Sequence, residues 1–155
     1  DISAETFVKL SNLVELDLSN NSLTAVPSKS FFEAPSLRRL SLAGNRLREV
    51  RSAAFLSLGR LVVLDLSSNS LVHLEADAFR GLRSLQTLKL EGNQLASIAA
   101  ADSFVQFLPP KMASLGLHDN RWRCDCHLKA VREWIAANNV PLPVKPVCSA
   151  PARLQ

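Results

Sequence analysis

The chain has no tyrosine, one methionine and only three cysteines, an odd number. No run of about 18 uninterrupted apolar residues is present, so no segment reads as a membrane span. No charged-then-apolar leader opens the chain, and the expectation is that any secretory signal has been removed. The parts for phosphoryl transfer or zinc proteolysis, a P-loop, a Gly-rich phosphate cradle or an H-E-x-x-H pair, are missing from the sequence. Charge is scarce in a second sense. Residues 1–110 balance 11 Lys/Arg against 11 Asp/Glu, so the net +4 comes from residues 111–155, where seven basic groups stand beside three acidic ones. Nucleic-acid surfaces combine a basic stripe with interleaved aromatics. A small basic end without them reads as solvated surface, with weak attraction to sulfated glycans (glycosaminoglycans) or anionic cell surfaces, and no nucleic-acid partner is expected.

What the chain has is leucine at a fixed interval. Leu13, Leu37, Leu61 and Leu85 stand 24 residues apart, as do Leu16, Leu40, Leu64 and Leu88, and Leu18, Leu42, Leu66 and Leu90. Asn21, Asn45, Asn69 and Asn93 keep the same step, followed by Leu23, Leu47, Leu71 and Leu95. Ile2, Val26, Val50, Leu74 and Ile98 make another series, and Phe7, Phe31, Phe55 and Phe79 one more. A fifth unit, Met112, Leu115, Leu117, Asn120 and Trp122, arrives 27 residues after the fourth. Its three extra residues fall between Ile98 and Met112, near Phe104, Pro109 and Pro110. The pattern L-x-x-L-x-L-x-x-N-x-L is the leucine-rich-repeat signature.

Each position has a physical role in that repeat. Leu16 and Leu18 alternate with Glu15 and Asp17, so a short strand turns leucines inward and polar groups outward. One unit cannot bury its apolar side alone, whereas stacked units share a continuous core. The Asn side chain donates and accepts, which suits it to backbone groups left unpaired where the chain leaves the strand. The phenylalanines form a second column beneath the convex side, where segments such as 51–60 are expected to make short helical or 3₁₀ turns. The expected fold is therefore α/β: a right-handed leucine-rich-repeat solenoid, or horseshoe, with a parallel concave sheet and a C-terminal cap.

The expected organisation is a truncated repeat tail over 1–12, repeats over 13–119, and a truncated cysteine cap over 120–155. Within the cap, Leu128, Val131, Trp134 and Ile135 have helical spacing, and Asp125 stands where it could cap the helix start. Cys124, Cys126, His127 and Cys148 also carry the ligand types that zinc favours, but C-x-C-H is an awkward spacing for tetrahedral binding.

Asn120 to Trp134 reads N-R-W-R-C-D-C-H-L-K-A-V-R-E-W, and Cys148-Ser-Ala-Pro151-Ala-Arg-Leu154 follows. This resembles the cysteine-flanked C-terminal cap of extracellular leucine-rich-repeat proteins. The chain is similar to transmembrane leucine-rich-repeat/immunoglobulin receptors of the Kekkon type, to Trk-type receptors and to Slit-like repeats, and Arg121 departs from the usual Pro. The resemblance implies first-to-third and second-to-fourth cysteine pairing. Carried over, it joins Cys124 to Cys148, leaves Cys126 awaiting a fourth cysteine beyond the chain, and implies an oxidising, extracellular setting.

No catalytic site, metal or cofactor is expected. His118-Asp119 is the one acid/base-like pair near the inner surface, and without a nucleophile or closed pocket it reads as a surface hydrogen bond. Binding is the expected function, by a secreted protein or a plasma-membrane ectodomain. Outward strand positions form three columns: Glu15, Arg39, Val63, Thr87 and Ser114; Asp17, Ser41, Asp65, Lys89 and Gly116; Ser19, Ala43, Ser67, Glu91 and His118. The ligand-binding candidates are Glu15, Asp17, Arg39, Ser41, Val63, Asp65, Thr87, Lys89, Glu91 and His118. They would face a protein ligand or receptor, with Arg39 the anchor type that interfaces favour. The alternative is a structural or homophilic adhesion module that forms homodimers. Asn20-Asn21-Ser22 is a glycosylation sequon with Asn20 as acceptor. Mass analysis under non-reducing conditions checks the cysteine assignment: one free thiol from three cysteines is expected, and three free thiols with bound zinc would overturn it.

Overall fold

The computed structural model describes residues 10–98, 100–124 and 128–149. Ile2, Phe7, Asp125, Cys126, His127, Pro151 and Leu154, which carry parts of the sequence reading, lie outside them.

Triplets with a central leucine at the repeat interval form the strands. They are β1 (Glu15–Asp17), β2 (Arg39–Ser41), β4 (Val63–Asp65), β6 (Thr87–Lys89) and β7 (Ser114–Gly116). Together they make one five-stranded sheet in the order β1-β2-β4-β6-β7, every neighbouring pair parallel. Two further strands, β3 (Glu49–Val50) and β5 (His73–Leu74), pair in parallel as a second, two-stranded sheet. The central leucine of β2, β4, β6 and β7 is buried, and Leu42, Leu66 and Leu90 join it in a single apolar cluster running through the coils. Truncating one such leucine to alanine removes packing worth roughly 2–5 kcal/mol.

Phenylalanines fill the opposite side of that core. Phe31 and Phe55 stack at 6.1 Å between ring centroids, and Phe55 and Phe79 at 6.2 Å. Phe104 continues the column, 5.7 Å from Phe79 but turned edge-on. The longer fifth coil thus keeps its phenylalanine by adding one residue before it and two after it. The added length supports a short helix, α1 (Ala101–Gln106). Over 51–60 the chain makes short turns with 3₁₀-type bonds, the Leu56 N–H donating to the Ala53 carbonyl (3.2 Å) and the Leu58 N–H to the Phe55 carbonyl (3.0 Å), while the matching part of the coil before, Ser30–Glu33, closes into a 3₁₀ helix.

Where the chain leaves the sheet, one repeat position is left-handed in all five coils: Asn20, Gly44, Ser68, Gly92 and Asp119 have φ between 54° and 71°. Asparagine, aspartate and glycine tolerate that region best. The turn strands backbone groups that the next residue, an asparagine in each coil, then serves. Asn69 donates through Nδ2 to the Leu66 carbonyl of its own coil (3.1 Å) and to the Leu42 carbonyl of the preceding coil (3.0 Å). Its Oδ1 accepts from the Leu47 N–H (3.1 Å). Asn45, Asn93 and Asn120 repeat the arrangement. Each amide therefore ties two coils together.

The last coil ends beneath a covering segment. Trp122 takes the place that Leu95 holds one coil earlier, is buried, and donates from Nε1 to the Leu117 carbonyl at 2.6 Å. Helix α2 (Lys129–Ala137) lays Val131, with Leu128 just before it, into the core and packs against α1. The helix N-cap is Leu128, which makes no side-chain capping bond. Beyond it, the Pro141 carbonyl accepts from the Leu115 N–H of β7 (3.0 Å), and the Ser149 N–H donates to the Trp122 carbonyl (2.7 Å). Cys124 and Cys148 are disulfide-bonded, with Cα atoms 5.6 Å apart.

The asparagine bridges lead to a graded prediction. Asn69→Ala leaves buried backbone groups of two coils unpaired and is expected to lower unfolding free energy by about 1–3 kcal/mol. Asn21→Ala, at an exposed member of the series that bonds to the Leu18 and Ser19 carbonyls of its own coil, is expected to cost less. Urea denaturation of both variants checks the order.

Candidate binding surface on the sheet

The parallel register turns repeat positions into columns. Glu15, Arg39, Val63, Thr87 and Ser114 are Cα partners across successive strands, and so are Asp17, Ser41, Asp65, Lys89 and Gly116. Glu15, Asp17, Arg39, Ser41, Val63, Asp65 and Lys89 line one shallow depression, together with the backbone leucines between them. Thr87 stands beside it in the first column, while Glu91 and His118 lie at the strand exit nearest the cap. Arg39, Glu15, Asp17 and Lys89 are exposed and Asp65 half-buried. Among the described residues, no ion pair joins two of these side chains. The ion pairs there are Arg51–Glu49 at 2.8 Å, His73–Glu75 at 3.3 Å and Lys129–Glu133 at 3.8 Å, all away from the sheet.

The second column carries a duty that periodicity alone does not reveal. The Asp17 carboxylate accepts from the Ser19 N–H (2.9 Å), Ser41 Oγ from the Ala43 N–H (3.4 Å), and the Asp65 carboxylate from both the Ser67 N–H (2.9 Å) and hydroxyl (2.6 Å). These outward residues hold the strand-exit turn as well as facing solvent. The Ser19 hydroxyl, and then its backbone N–H, keep the Asp17 carboxyl below its ordinary 3.8 despite a small opposing effect of burial.

At the cap end the column closes up. Gly116 is buried, and the Glu91 carboxylate occupies the space its side chain would need. Glu91 and His118 are backbone neighbours, the Gly92 N–H donating to the His118 carbonyl at 3.2 Å. Glu91 Oε2 and His118 Nδ1 are each buried without a hydrogen-bond partner. Asp119, the other half of the His-Asp dipeptide, is the left-handed turn residue of its coil, so the turn accounts for the acid beside that histidine. Asn20 is exposed at the same turn, with its side chain lying over Gly44, where a Cβ would collide with it.

With Cys124 and Cys148 joined, neither can offer zinc a thiolate. Among the described residues no group of three His, Cys, Asp or Glu side chains is placed to hold a metal, and no helix is long and apolar enough to cross a membrane.

Stacked parallel strands, asparagine bridges between successive coils and an open sheet face define a repeat solenoid of the interaction-module kind. Residues 1–47 and 35–95 match the Leucine rich repeat family, and the chain belongs to it. Members of this family generally serve as protein-interaction modules rather than as catalysts. The chain is also similar to Immunoglobulin superfamily member 10 of Mus musculus and of Rattus norvegicus. Each is 44% identical over 45 residues, covering 24% of this chain and 2% of the relative. The match therefore spans only a small part of those much longer proteins.

The lowered Asp17 carboxyl has a definite pH signature. A depressed folded-state value means that its charge favours the folded state above the ordinary carboxylate range, and that this contribution is lost as pH falls through the depressed value. A carbon-13 titration is expected to place the Asp17 midpoint below 3.8, and Ser19→Ala is expected to raise it. A midpoint unmoved by that substitution would contradict the assignment.

Proposed function

We propose that this chain is a non-catalytic, extracellular protein-binding module of a secreted or cell-surface leucine-rich-repeat protein, and that it takes a protein ligand or co-receptor on its sheet face. The observation that carries the reading is the set of mutually unpaired charges, Glu15, Asp17, Arg39, Asp65 and Lys89, gathered on one shallow depression. Among the described residues none of the five is in an ion pair, and Asp17 and Asp65 also hold the strand-exit turn; opposite a partner's charges all five can steer and align it. Their mixed sign favours a protein surface of complementary mixed charge. Thr87, Glu91 and His118 extend the same surface toward the cap.

Three observations support the extracellular setting. The Cys124–Cys148 disulfide belongs to an oxidising compartment. The sequence from Asn120 onward has the spacing of a cysteine-flanked cap. The relatives are immunoglobulin superfamily members, in keeping with a protein that joins leucine-rich repeats to immunoglobulin domains. In this reading residues 13–119 are the recognition repeats, 120–155 the cap, and 1–12 the end of a preceding coil. A glycan on Asn20 would remove the start of the sheet face as contact area.

The test begins by presenting the chain to an array of secreted and cell-surface ectodomains. Affinity for the partner found is then measured for Arg39→Glu, Asp65→Lys and Lys89→Glu. Each reversal is expected to weaken binding at least about tenfold, or roughly 1.4 kcal/mol, with circular dichroism unchanged. Three unchanged affinities would remove the sheet face as the contact surface. Light scattering over a range of concentrations is expected to report a monomer; a mass that rises with concentration would favour the homophilic adhesive module instead.

A further inference from the structure

The backbone that turns into the sheet forms a rim distinct from the sheet face, made of residues 34–38, 58–62, 82–86 and 108–113. Each segment carries one cation, Arg38, Arg60, Arg83 and Lys111 in turn, and none carries an Asp or Glu. All four side chains are exposed. The segments stack on one another. The Val62 N–H donates to the Arg38 carbonyl (2.7 Å), the Gln86 N–H to the Val62 carbonyl (2.9 Å), and the Ala113 N–H to the Gln86 carbonyl (2.8 Å). The Ser84 hydroxyl donates to the Gly59 carbonyl (2.8 Å), and the Arg83 guanidinium lies over Gly59, beside Arg60.

Neighbouring strands in such a stack are about 4.8 Å apart, inside the screening length of about 8 Å at physiological salt. Like charges carried on successive coils of one rim therefore repel one another, and among the described residues none of the four is in an ion pair. Elsewhere the molecule mixes its signs: Glu49 with Arg51, Lys129 with Glu133, and both signs on the sheet face. A ladder of one sign at the pitch of the coils calls for a counter-charge that also runs along the stack.

We propose that this strand-entry rim binds a linear sulfated polysaccharide laid along the solenoid axis. Guanidinium groups grip sulfate oxygens through paired hydrogen bonds, and Lys111 acts as a point charge. A one-sign rim that adds a cation with each successive coil matches a linear polyanion. A bilayer surface would also take apolar anchors, and the rim's leucines and Met112 are buried. A single-stranded nucleic acid would take aromatic platforms, and the rim has none. Of the basic groups that give residues 111–155 their excess charge, only Lys111 belongs to this ladder, so the site lies mainly in the repeats. It shares no residue with the sheet-face depression.

Heparin is the probe. The variant carrying Arg38→Gln, Arg60→Gln, Arg83→Gln and Lys111→Gln is compared with a control of equal charge loss, Arg46→Gln, Arg48→Gln, Arg121→Gln and Arg123→Gln, all exposed positions away from the rim. With both folded by circular dichroism, the rim variant is expected to bind heparin at least about tenfold more weakly near 0.15 M NaCl and to show a flatter dependence on salt, as release of fewer counterions requires. The control is expected to stay within about twofold of the parent, and desulfated heparin to fail as a competitor. Equal losses in both variants, no loss in either, competition by desulfated heparin, or tighter binding to phosphatidylserine vesicles or oligo(dT) than to heparin would each overturn the proposal.

Discussion

The described strands are only two or three residues long, too short to hold a sheet through their own ladder. What makes the row of strands one body is a side chain that belongs to two coils at once. An asparagine at the strand exit spends its donor on carbonyls of its own coil and of the coil before, and its acceptor on a backbone N–H of the coil before. The geometry works because the residue before it is left-handed, which swings the amide into the stack. Remove the left-handed turn and the amide points away; remove the amide and the turn is left with buried, unpaired backbone. The two requirements select each other, and the leucine and phenylalanine columns then fill the space they enclose.

Once the interior is fixed this way, the surfaces become separable. The sheet face presents both signs of charge, the strand-entry rim one sign, and the opposite side local pairs such as Glu49 with Arg51. Stacking places equivalent residues of neighbouring coils within a strand spacing of each other, so any bias at a surface position accumulates along the axis instead of being diluted. A solenoid can therefore carry two recognition surfaces that share a backbone but no side chain. The proposed protein-binding face and the proposed polyanion-binding rim therefore stand or fall separately.

Much of this was readable in the sequence, because a strict interval maps one residue type onto one place. The leucine series, the asparagine bridge and the pairing of Glu15 with Arg39 and Val63 all follow from period alone. Phe104 was harder, since an insertion split around it hides its membership of the phenylalanine column. Backbone conformation was not readable from period. Asn20, Gly44, Ser68, Gly92 and Asp119 share a left-handed turn but no chemistry, so Asp119 looked like a partner for His118 instead of a turn residue. The turn-holding duty of Asp17, Ser41 and Asp65 was hidden for a similar reason, as was the tight fit of Glu91 over Gly116. The rim escaped for the opposite reason. Arg60 and Lys111 share a repeat position, but Arg38 and Arg83 occupy two others, and only the folded stack brings the three positions to one edge.

A repeat that propagates by pairing has no internal reason to stop, and its last strand offers the same open edge as every strand before it. Here the stop is chemical. The segment laid against β7 accepts the Leu115 N–H through the carbonyl of Pro141, a residue that has no N–H to return. Pro143 and Pro146 follow, so the covering strip satisfies the edge while presenting few donors of its own. The disulfide between Cys124 and Cys148 then ties the end of the covering strip to the chain leaving the last coil. Helix α2 fills the apolar gap between them with Leu128 and Val131. The covering segment thus occupies the edge of β7 that a further strand would use, and the sheet columns run up to it.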